Sequence, residues 1–194
     1  MPPPRRAVFL DRDGVLVHDD GFILREDHIR LIDGVAGALC ALKKAGLALV
    51  VVTNQAAVAR GLIGEPELGR LNDIIADRIE CAGGPRPDAT YFCPHHPDAD
   101  LVEYRLHCAC RKPRPGMLQR AAEEHGLDLQ ASVLVGDRMS DIAAGAAAGC
   151  RTVLVTCGRH DAPPIVTVDP PSNCQPDYVC PDLRAASRWI LDSL

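Results

Sequence analysis

Five short and almost continuously apolar runs recur along the chain, and they restrict the fold more than any other feature. They span residues 7–10, 47–52, 89–92, 132–135 and 152–155. Strands buried on both faces of a parallel sheet have such runs, whereas half-exposed strands alternate apolar and polar residues. Helix-like stretches separate the runs, at residues 35–45, 65–81, 116–125 and 140–148. This alternation predicts an α/β fold, a doubly wound Rossmann-like parallel sheet.

The spacing of these elements predicts a single domain over residues 1–194. The first two strands are separated by residues 11–46, which suffice for one loop and one crossover helix and leave no room for a cap domain. The C-terminal tail, about 158–194, begins with a proline-rich segment that is typical of a surface loop. Within it, residues 177–179 predict a last short strand and residues 183–191 a closing helix.

The charge and hydropathy of the chain exclude several classes of partner. A formal net charge of -5 argues against a general nucleic-acid binder, because binding to a phosphate backbone needs a basic face. No apolar run reaches the roughly 18 residues that a membrane helix needs, and the basic start of the chain does not resemble a signal peptide. We therefore expect a cytoplasmic, monomeric protein with neither a nucleic-acid nor a membrane partner.

Two aspartates follow the first apolar run directly, in the motif Asp11-Arg12-Asp13-Gly14. One turn can aim both carboxylates at the same point, where a divalent cation would relieve their repulsion. In such a pair, Asp11 would be a nucleophile and Asp13 an acid/base. The alternative is a loop with two surface acids.

Other candidate residues also follow predicted strands or the cysteine-rich segment. Thr53 ends the second strand, where a hydroxyl can hold phosphate oxygens, and Arg111 and Lys112 precede a predicted helix. Asp137 ends the fourth strand, and Asp141 lies one helical turn further on, where it could orient Lys112. Each residue alone could be a helix cap or a surface charge. Together they match the rule that α/β sheets bind ligands beyond the carboxyl ends of their strands.

Four motifs follow one another along the chain: Asp11-Arg12-Asp13-Gly14, Thr53, Lys112, and Asp137 with Asp141. Their order and spacing, over roughly residues 7–158, resemble those of the haloacid dehalogenase-like phosphatases. The resemblance implies Mg²⁺ and an aspartyl-phosphate intermediate. By that likeness, Asp11 attacks phosphorus, and Asp13 protonates the leaving oxygen and later activates water. Mg²⁺ would lie on Asp11, Asp137 and the main-chain carbonyl of Asp13. Thr53 and Lys112 would stabilise the phosphoryl group.

The nine cysteines include a cluster that suggests a second metal. Cys93-Pro94-His95 and Cys108-Ala109-Cys110 offer three thiolates and an imidazole, a set that tetrahedral zinc accepts. The loop over about 93–110 has little apolar content, so a structural zinc would compensate for the missing core. Spacing alone leaves His96 and His107 as competing ligands, and the resemblance favours His95. The alternative is a set of free cysteines with loop histidines.

Within these phosphatases, the chain most resembles the D-glycero-D-manno-heptose-1,7-bisphosphate 7-phosphatase family. The segments that carry this likeness are 9–14, 51–55, 58–61, 93–97 and 108–117. The resemblance implies that the substrate is a phosphorylated heptose and that these residues contact it: Asp19, Asp20, Gly21, Phe22, Thr53, Asn54, Gln55, Ala56, Arg111 and Arg138.

The chain departs from that family in three features. Val15 stands where the family usually has threonine, Ala56-Ala57 replaces Ser-Gly, and Arg138 replaces a common lysine. Alternatives for the function are a histidinol-phosphate phosphatase, another small sugar-phosphate phosphatase, phosphoryl transfer to a sugar, and a non-catalytic zinc-stapled binding module. The segment Val58-Ala59-Arg60-Gly61 favours the heptose, because an additional arginine suits a second phosphate.

Overall fold

The computed structural model describes residues 5–156 and 174–193, and they form a six-stranded sheet in which every pairing is parallel. The strands are β1 (Ala7–Leu10), β2 (Ala48–Asn54), β3 (Ala89–Cys93), β4 (Val133–Gly136), β5 (Arg151–Val155) and β6 (Tyr178–Cys180). Their order across the sheet is β3-β2-β1-β4-β5-β6. The predicted parallel α/β sheet is confirmed, and β1 and β4 meet at its centre, where the strand order reverses.

Six α-helices connect or follow the strands in the described residues. They are α1 (Val35–Lys44), α2 (Ala56–Ala59), α3 (Glu65–Cys81), α4 (Gly116–His125), α5 (Met139–Ala148) and α6 (Leu183–Asp192). Short 3-10 helices occur at Glu26–His28 and Val102–Tyr104. The sequence pattern did not predict α2, because four residues are too few to show a helical period.

The two faces of the sheet explain why the strand runs are continuously apolar. In β1, Val8 and Leu10 pack into the cluster that includes α1, α3 and α6. Ala7 and Phe9 point the other way, into a cluster with α4 and α5. All four side chains are at most 1% exposed. In β1, which is covered on both sides, no polar residue occurs until the strand ends, so its first polar residue, Asp11, lies at the edge of the sheet.

The fully described segment between β1 and β2 contains one 3-10 helix and α1, so no cap domain lies there, as predicted. Residues 158–173 of the predicted proline-rich loop lie outside the described residues. Within the described ranges, no helix is both long and apolar enough to cross a membrane. The single domain, the cytoplasmic location and the monomeric state stay predictions.

Candidate active site

The carboxyl ends of β1, β2 and β4 border a cavity of about 250 Å³. Because all strands run in one direction, residues that are distant in the chain meet at this edge. Most of the predicted site residues line the cavity: Asp11, Asp13, Asp19, Gly21, Phe22, Thr53, Asn54, Gln55, Ala56, Arg111, Lys112 and Arg138. Asp20 is not among the lining residues, and its exposed carboxylate accepts a hydrogen bond from Arg30.

Lys112 is the central cation of the site and is only 3% exposed. Its Nζ lies 2.9 Å from Oδ1 of Asp11 and 2.5 Å from Oδ1 of Asp141, and it donates to the carbonyl of Val52 at 2.8 Å. These partners match the three N–H donors of an ammonium group. Burial disfavours the charged amine, but the two carboxylates outweigh this effect and raise the pKa of Lys112. The residue is therefore a fixed positive charge beside Asp11.

Three buried carboxylates, from Asp11, Asp137 and Asp141, have oxygen atoms within 4.8 Å of one another. Burial, and then the charges of Asp11 and Asp141, raise the pKa of Asp137 to about 8. Oδ1 of Asp141 lies against Lys112, and its Oδ2 accepts from the backbone N–H of Arg138. Both oxygens of Asp141 are thus engaged within the protein. Asp11 and Asp137 are the carboxylates that fit a hard divalent cation, which would relieve their repulsion.

Gly14 lets the loop after β1 pack directly against Asp137. Its φ is +79°, in the left-handed region, and a Cβ on it would lie 2.5 Å from Oδ2 of Asp137. A larger residue would be strained in this backbone conformation and would also displace the carboxylate. Glycine at this position therefore keeps Asp137 close to the backbone of the Asp13 turn.

Asp13 and Thr53 are linked by Gln55. The side-chain amide nitrogen of Gln55 donates to Oδ2 of Asp13 and to Oγ1 of Thr53, both at 2.8 Å. Burial raises the pKa of Asp13, while the guanidinium of Arg12 opposes the shift. A raised pKa favours the protonated form of a carboxyl group, which suits a residue that gives a proton to a leaving group.

Asn54 has a structural role that the sequence did not indicate. Its Nδ2 donates to the carbonyl of Lys112 at 3.0 Å, and its Oδ1 accepts from the backbone N–H of Lys112 at 3.1 Å. The side-chain amide therefore fixes the backbone of Lys112 by two reciprocal hydrogen bonds. The contact of Asn54 with a substrate stays a prediction.

Several arginines surround the mouth of the cavity, each held differently. Arg138 donates through Nη2 to Oδ2 of Asp19 at 2.6 Å. Arg111 donates through Nη1 to the carbonyl of His95 at 3.0 Å. Arg60 also lines the cavity. In the sequence, only its place in the segment 58–61 indicated a contact with a second phosphate. The mouth is thus suited to an anionic ligand.

His96 is a further lining residue that sequence reasoning considered only as a metal ligand. Its Nδ1 accepts a hydrogen bond from the backbone N–H of Asp98 at 3.0 Å. In the neutral ring the proton must then lie on Nε2, which makes that nitrogen a donor. No pattern in the sequence separates His96 from His95, because the two are adjacent.

The structure brings the predicted zinc ligands Cys93, His95, Cys108 and Cys110 together. The three sulfur–sulfur distances are 3.2–3.4 Å, and Nδ1 of His95 lies 3.7 Å from Sγ of Cys93 and 3.5 Å from Sγ of Cys110. Ligands of a tetrahedral zinc, with bonds of about 2.0–2.3 Å, would be separated by roughly 3.5–3.8 Å. The cluster is slightly tighter and is suited to that ion.

Comparisons with known proteins place the chain among phosphatases. A family model described as HAD-hydrolase-like matches residues 109–186. The chain is 40% identical to a protein of Yersinia pestis over 97% of this chain and 90% of that protein, which is named D-glycero-beta-D-manno-heptose-1,7-bisphosphate 7-phosphatase. It is 43% identical to the corresponding alpha-anomer phosphatase of Burkholderia mallei, over 84% of this chain and 85% of that protein.

A solved structure resembles the fold over nearly its whole length. It is the D,D-heptose 1,7-bisphosphate phosphatase of B. bronchiseptica, in complex with magnesium and phosphate. The TM-score is 0.77 and the identity 32%, over 97% of this chain and 99% of that one. The similarity therefore extends beyond the central sheet.

Proposed function

This chain belongs to the D-glycero-D-manno-heptose-1,7-bisphosphate 7-phosphatase family, and from that premise we propose that it removes the 7-phosphate of a D-glycero-D-manno-heptose 1,7-bisphosphate. The observation that carries the proposal is the placement of Asp11. Its carboxylate lies 2.9 Å from the buried Lys112 ammonium, at a cavity that arginines surround. This arrangement supports attack of Asp11 on one phosphoryl group and binding of a second phosphate by the arginines.

The proposed reaction uses Asp11 and Asp13 in two steps. The carboxylate of Asp11 attacks phosphorus and forms an aspartyl phosphate, while Asp13 gives a proton to the departing sugar oxygen. Asp13 then takes a proton from water, which attacks the phosphoaspartate and releases phosphate. Lys112 and Thr53 balance the negative charge that develops on the phosphoryl oxygens.

The residues that would hold Mg²⁺ are Asp11, Asp137 and the main-chain carbonyl of Asp13. Bound there, Mg²⁺ neutralises charge between the carboxylate nucleophile and the anionic phosphoryl group. The raised pKa of Asp137 supports this assignment, because it reports carboxylates crowded together in a buried place. The relative from B. bronchiseptica was solved with magnesium and phosphate, which supports the choice of this ion.

A panel of substrates tests the proposed function. Phosphate release would be measured with both anomers of the heptose bisphosphate, with fructose bisphosphate and with histidinol phosphate. We expect the highest kcat/KM for one of the heptose anomers. If histidinol phosphate were the better substrate, the runner-up activity would replace the proposal. If none of the four released phosphate with Mg²⁺ present, the protein would not be a phosphatase of this class.

Arg111→Ala is expected to reduce kcat/KM for the heptose bisphosphate by about 30- to 1000-fold. Lys112 lies beside Asp11 and serves the phosphoryl group that is transferred, so a remote phosphate or hydroxyl needs another cation, and Arg111 lines the same cavity. An unmade charge-assisted contact costs about 2–4 kcal/mol. Steady-state kinetics with this substrate and with a small aryl phosphate would measure the effect.

The loss should be much smaller for the aryl phosphate, which has no remote group for Arg111 to hold. Arg114→Ala is the matched control, because Arg114 lies in the same segment and donates to the carbonyl of Cys108, but does not line the cavity. Its kinetics should stay close to those of the wild type. Equal losses of Arg111→Ala on both substrates would mean that Arg111 serves the transferred phosphate instead.

We also propose that Cys93, His95, Cys108 and Cys110 bind one structural Zn²⁺. Four protein ligands fill a tetrahedral ion and leave no position for a reactive water. The cluster also contacts the catalytic segment, because the backbone N–H of Arg111 donates to Sγ of Cys108 at 3.3 Å. A zinc ion here would thus position Arg111 as well as stabilise the loop.

Cys110→Ser is expected to abolish zinc binding and to lower the free energy of unfolding by at least about 2 kcal/mol. Elemental analysis of protein purified without chelator, together with denaturant unfolding, would measure both quantities. Cys81→Ser is the control, since Cys81 is exposed and remote from the cluster, and should keep the zinc. Wild-type protein without zinc, or with zinc that survives Cys110→Ser, would contradict the assignment.

A further inference from the structure

Arg12 is a buried charged residue for which the proposed chemistry has no role. It is 2% exposed, and its guanidinium grips the carboxylate of the next residue along the chain. Nε donates to Oδ1 of Asp13 at 3.1 Å, and Nη2 lies 3.0 Å from both Oδ1 and Oδ2. Both carboxylate oxygens of the candidate acid/base are therefore held by one planar group.

The guanidinium is itself anchored from the opposite side. Its Nη1 donates to Oδ1 of Asn72 in α3, at 2.8 Å and 60 positions away in the chain. Nε and both Nη atoms thus have partners, so the plane of the guanidinium is fixed relative to α3. A lysine could supply the charge of Arg12, but its single nitrogen lacks the planar fork that holds Asp13 on one side and Asn72 on the other.

Besides Arg12, the side chain of Asp13 has a hydrogen-bond partner in the amide of Gln55. Its side chain is 21% exposed at the cavity, and an aspartate can occupy several rotamers. The amide of Gln55 holds Oδ2 at 2.8 Å from another side. Arg12 and Gln55 together select one orientation of the carboxyl group at the place where the leaving oxygen must lie.

We infer that Arg12, anchored by Asn72, is the positioning residue that holds Asp13 in the orientation required for proton transfer to the leaving oxygen. The inference rests on the proposed function, in which Asp13 is the acid/base. General acid catalysis contributes about 10²- to 10⁴-fold, and a misplacement of about 1 Å can cost about 10²-fold. The contribution of Arg12 to the rate should therefore increase with the basicity of the leaving group, because a more basic leaving oxygen needs a proton more.

The test compares leaving groups in Arg12→Met, Arg12→Lys and Asn72→Ala. The substrates are the heptose bisphosphate, phenyl phosphate and 4-nitrophenyl phosphate, the last of which has a leaving group that departs without protonation. Because kcat/KM covers only the steps up to departure of the leaving group, it isolates the acid role of Asp13. We expect Arg12→Met to lower kcat/KM by about 100-fold or more for the heptose bisphosphate and by less than about 5-fold for 4-nitrophenyl phosphate. The loss of kcat/KM for phenyl phosphate should lie between these two values. Arg12→Lys should show the same loss as Arg12→Met. Asn72→Ala should lower kcat/KM for the heptose bisphosphate by about 10-fold.

The control is Arg78→Met, since Arg78 also links α3 to the segment that follows β1. It donates to the carbonyl of Ile29 at 2.6 Å and has no contact with Asp13. It should lower stability without changing the ratio of kcat/KM between the substrates. The inference is overturned if Arg12→Met loses equally on all substrates, or if its ratio matches that of Arg78→Met. If Arg12→Met does not fold, the ratio for Asn72→Ala decides in the same way.

The two proposals can fail separately. If the wild type did not hydrolyse the heptose bisphosphate, the proposed function would fall. The comparison of phenyl with 4-nitrophenyl phosphate would still decide the role of Arg12, because both are simple monoesters.

Discussion

Asp11→Asn is expected to reduce kcat by about 10⁴-fold or more while the protein remains folded. The amide has the shape of the carboxylate but cannot attack phosphorus, so the covalent intermediate is lost. The fold should persist because Asp141 still pairs with Lys112, 2.5 Å from its ammonium. Phosphate release with saturating Mg²⁺ and heptose bisphosphate would measure the loss, and circular dichroism would verify the fold.

Asp88→Asn is the matched control for this variant. Asp88 is an exposed aspartate that is likewise paired with a lysine, since its carboxylate lies 2.5 Å from Nζ of Lys43 and accepts from the backbone N–H of Leu49. It lies at the amino-terminal side of β3, away from the cavity. Its loss should lower stability and leave kcat unchanged. Activity of Asp11→Asn near that of the wild type would disprove the proposed mechanism.

Lys112→Met is expected to reduce kcat by about 10³-fold or more and to lower the free energy of unfolding by about 3–5 kcal/mol. The methionine fills the space of the side chain but leaves Asp11 and Asp141 as buried charges without their common cation. The loss of activity and the loss of stability have the same cause, the missing ion pairs with Asp11 and Asp141, so both should appear in this variant. Kinetics with the heptose bisphosphate and urea unfolding would measure them.

Lys43→Met is the control for the lysine variant. The ion pair of Lys43 with Asp88 has a side-chain exposure of 37% on the lysine. Exposed pairs contribute about 0–1 kcal/mol, so this variant should be almost as stable as the wild type and fully active. If Lys112→Met were equally mild, the ion pairs at the centre of the site would not matter for either stability or catalysis.

Strand positions and most elements could be predicted because a strand covered on both faces consists mainly of apolar residues. Val8 and Leu10 face one layer of helices and Ala7 and Phe9 the other, so no polar residue fits within β1. The first polar residue therefore marks where the strand ends, at Asp11. The same logic located Thr53 and Asp137, although the bounds of β2 were wrong by up to two residues. Fraying at element ends makes such errors common.

The partners of each side chain could not be predicted in the same way, because they lie in segments that are distant in the chain. The amide of Asn54 holds the backbone of Lys112, 58 positions further on, whereas the resemblance implied only a substrate contact. Asp20 was grouped with Asp19 by sequence, yet it lies outside the cavity and Asp19 lines it. Adjacent residues in an extended loop point in different directions, and packing decides which one faces the site.

The parallel sheet and the position of each motif at a strand end could be inferred from the sequence, because both depend on local apolar patterning. The structure brings His95 to the three cysteines, as the resemblance implied, but the position of His96 at the cavity became visible only in the folded chain. The tertiary structure alone decided that Arg12 is buried between Asp13 and Asn72. The direction and the burial of these side chains follow from how α3, the loop over 93–110 and the strand ends pack together. No local pattern in the sequence encodes that packing.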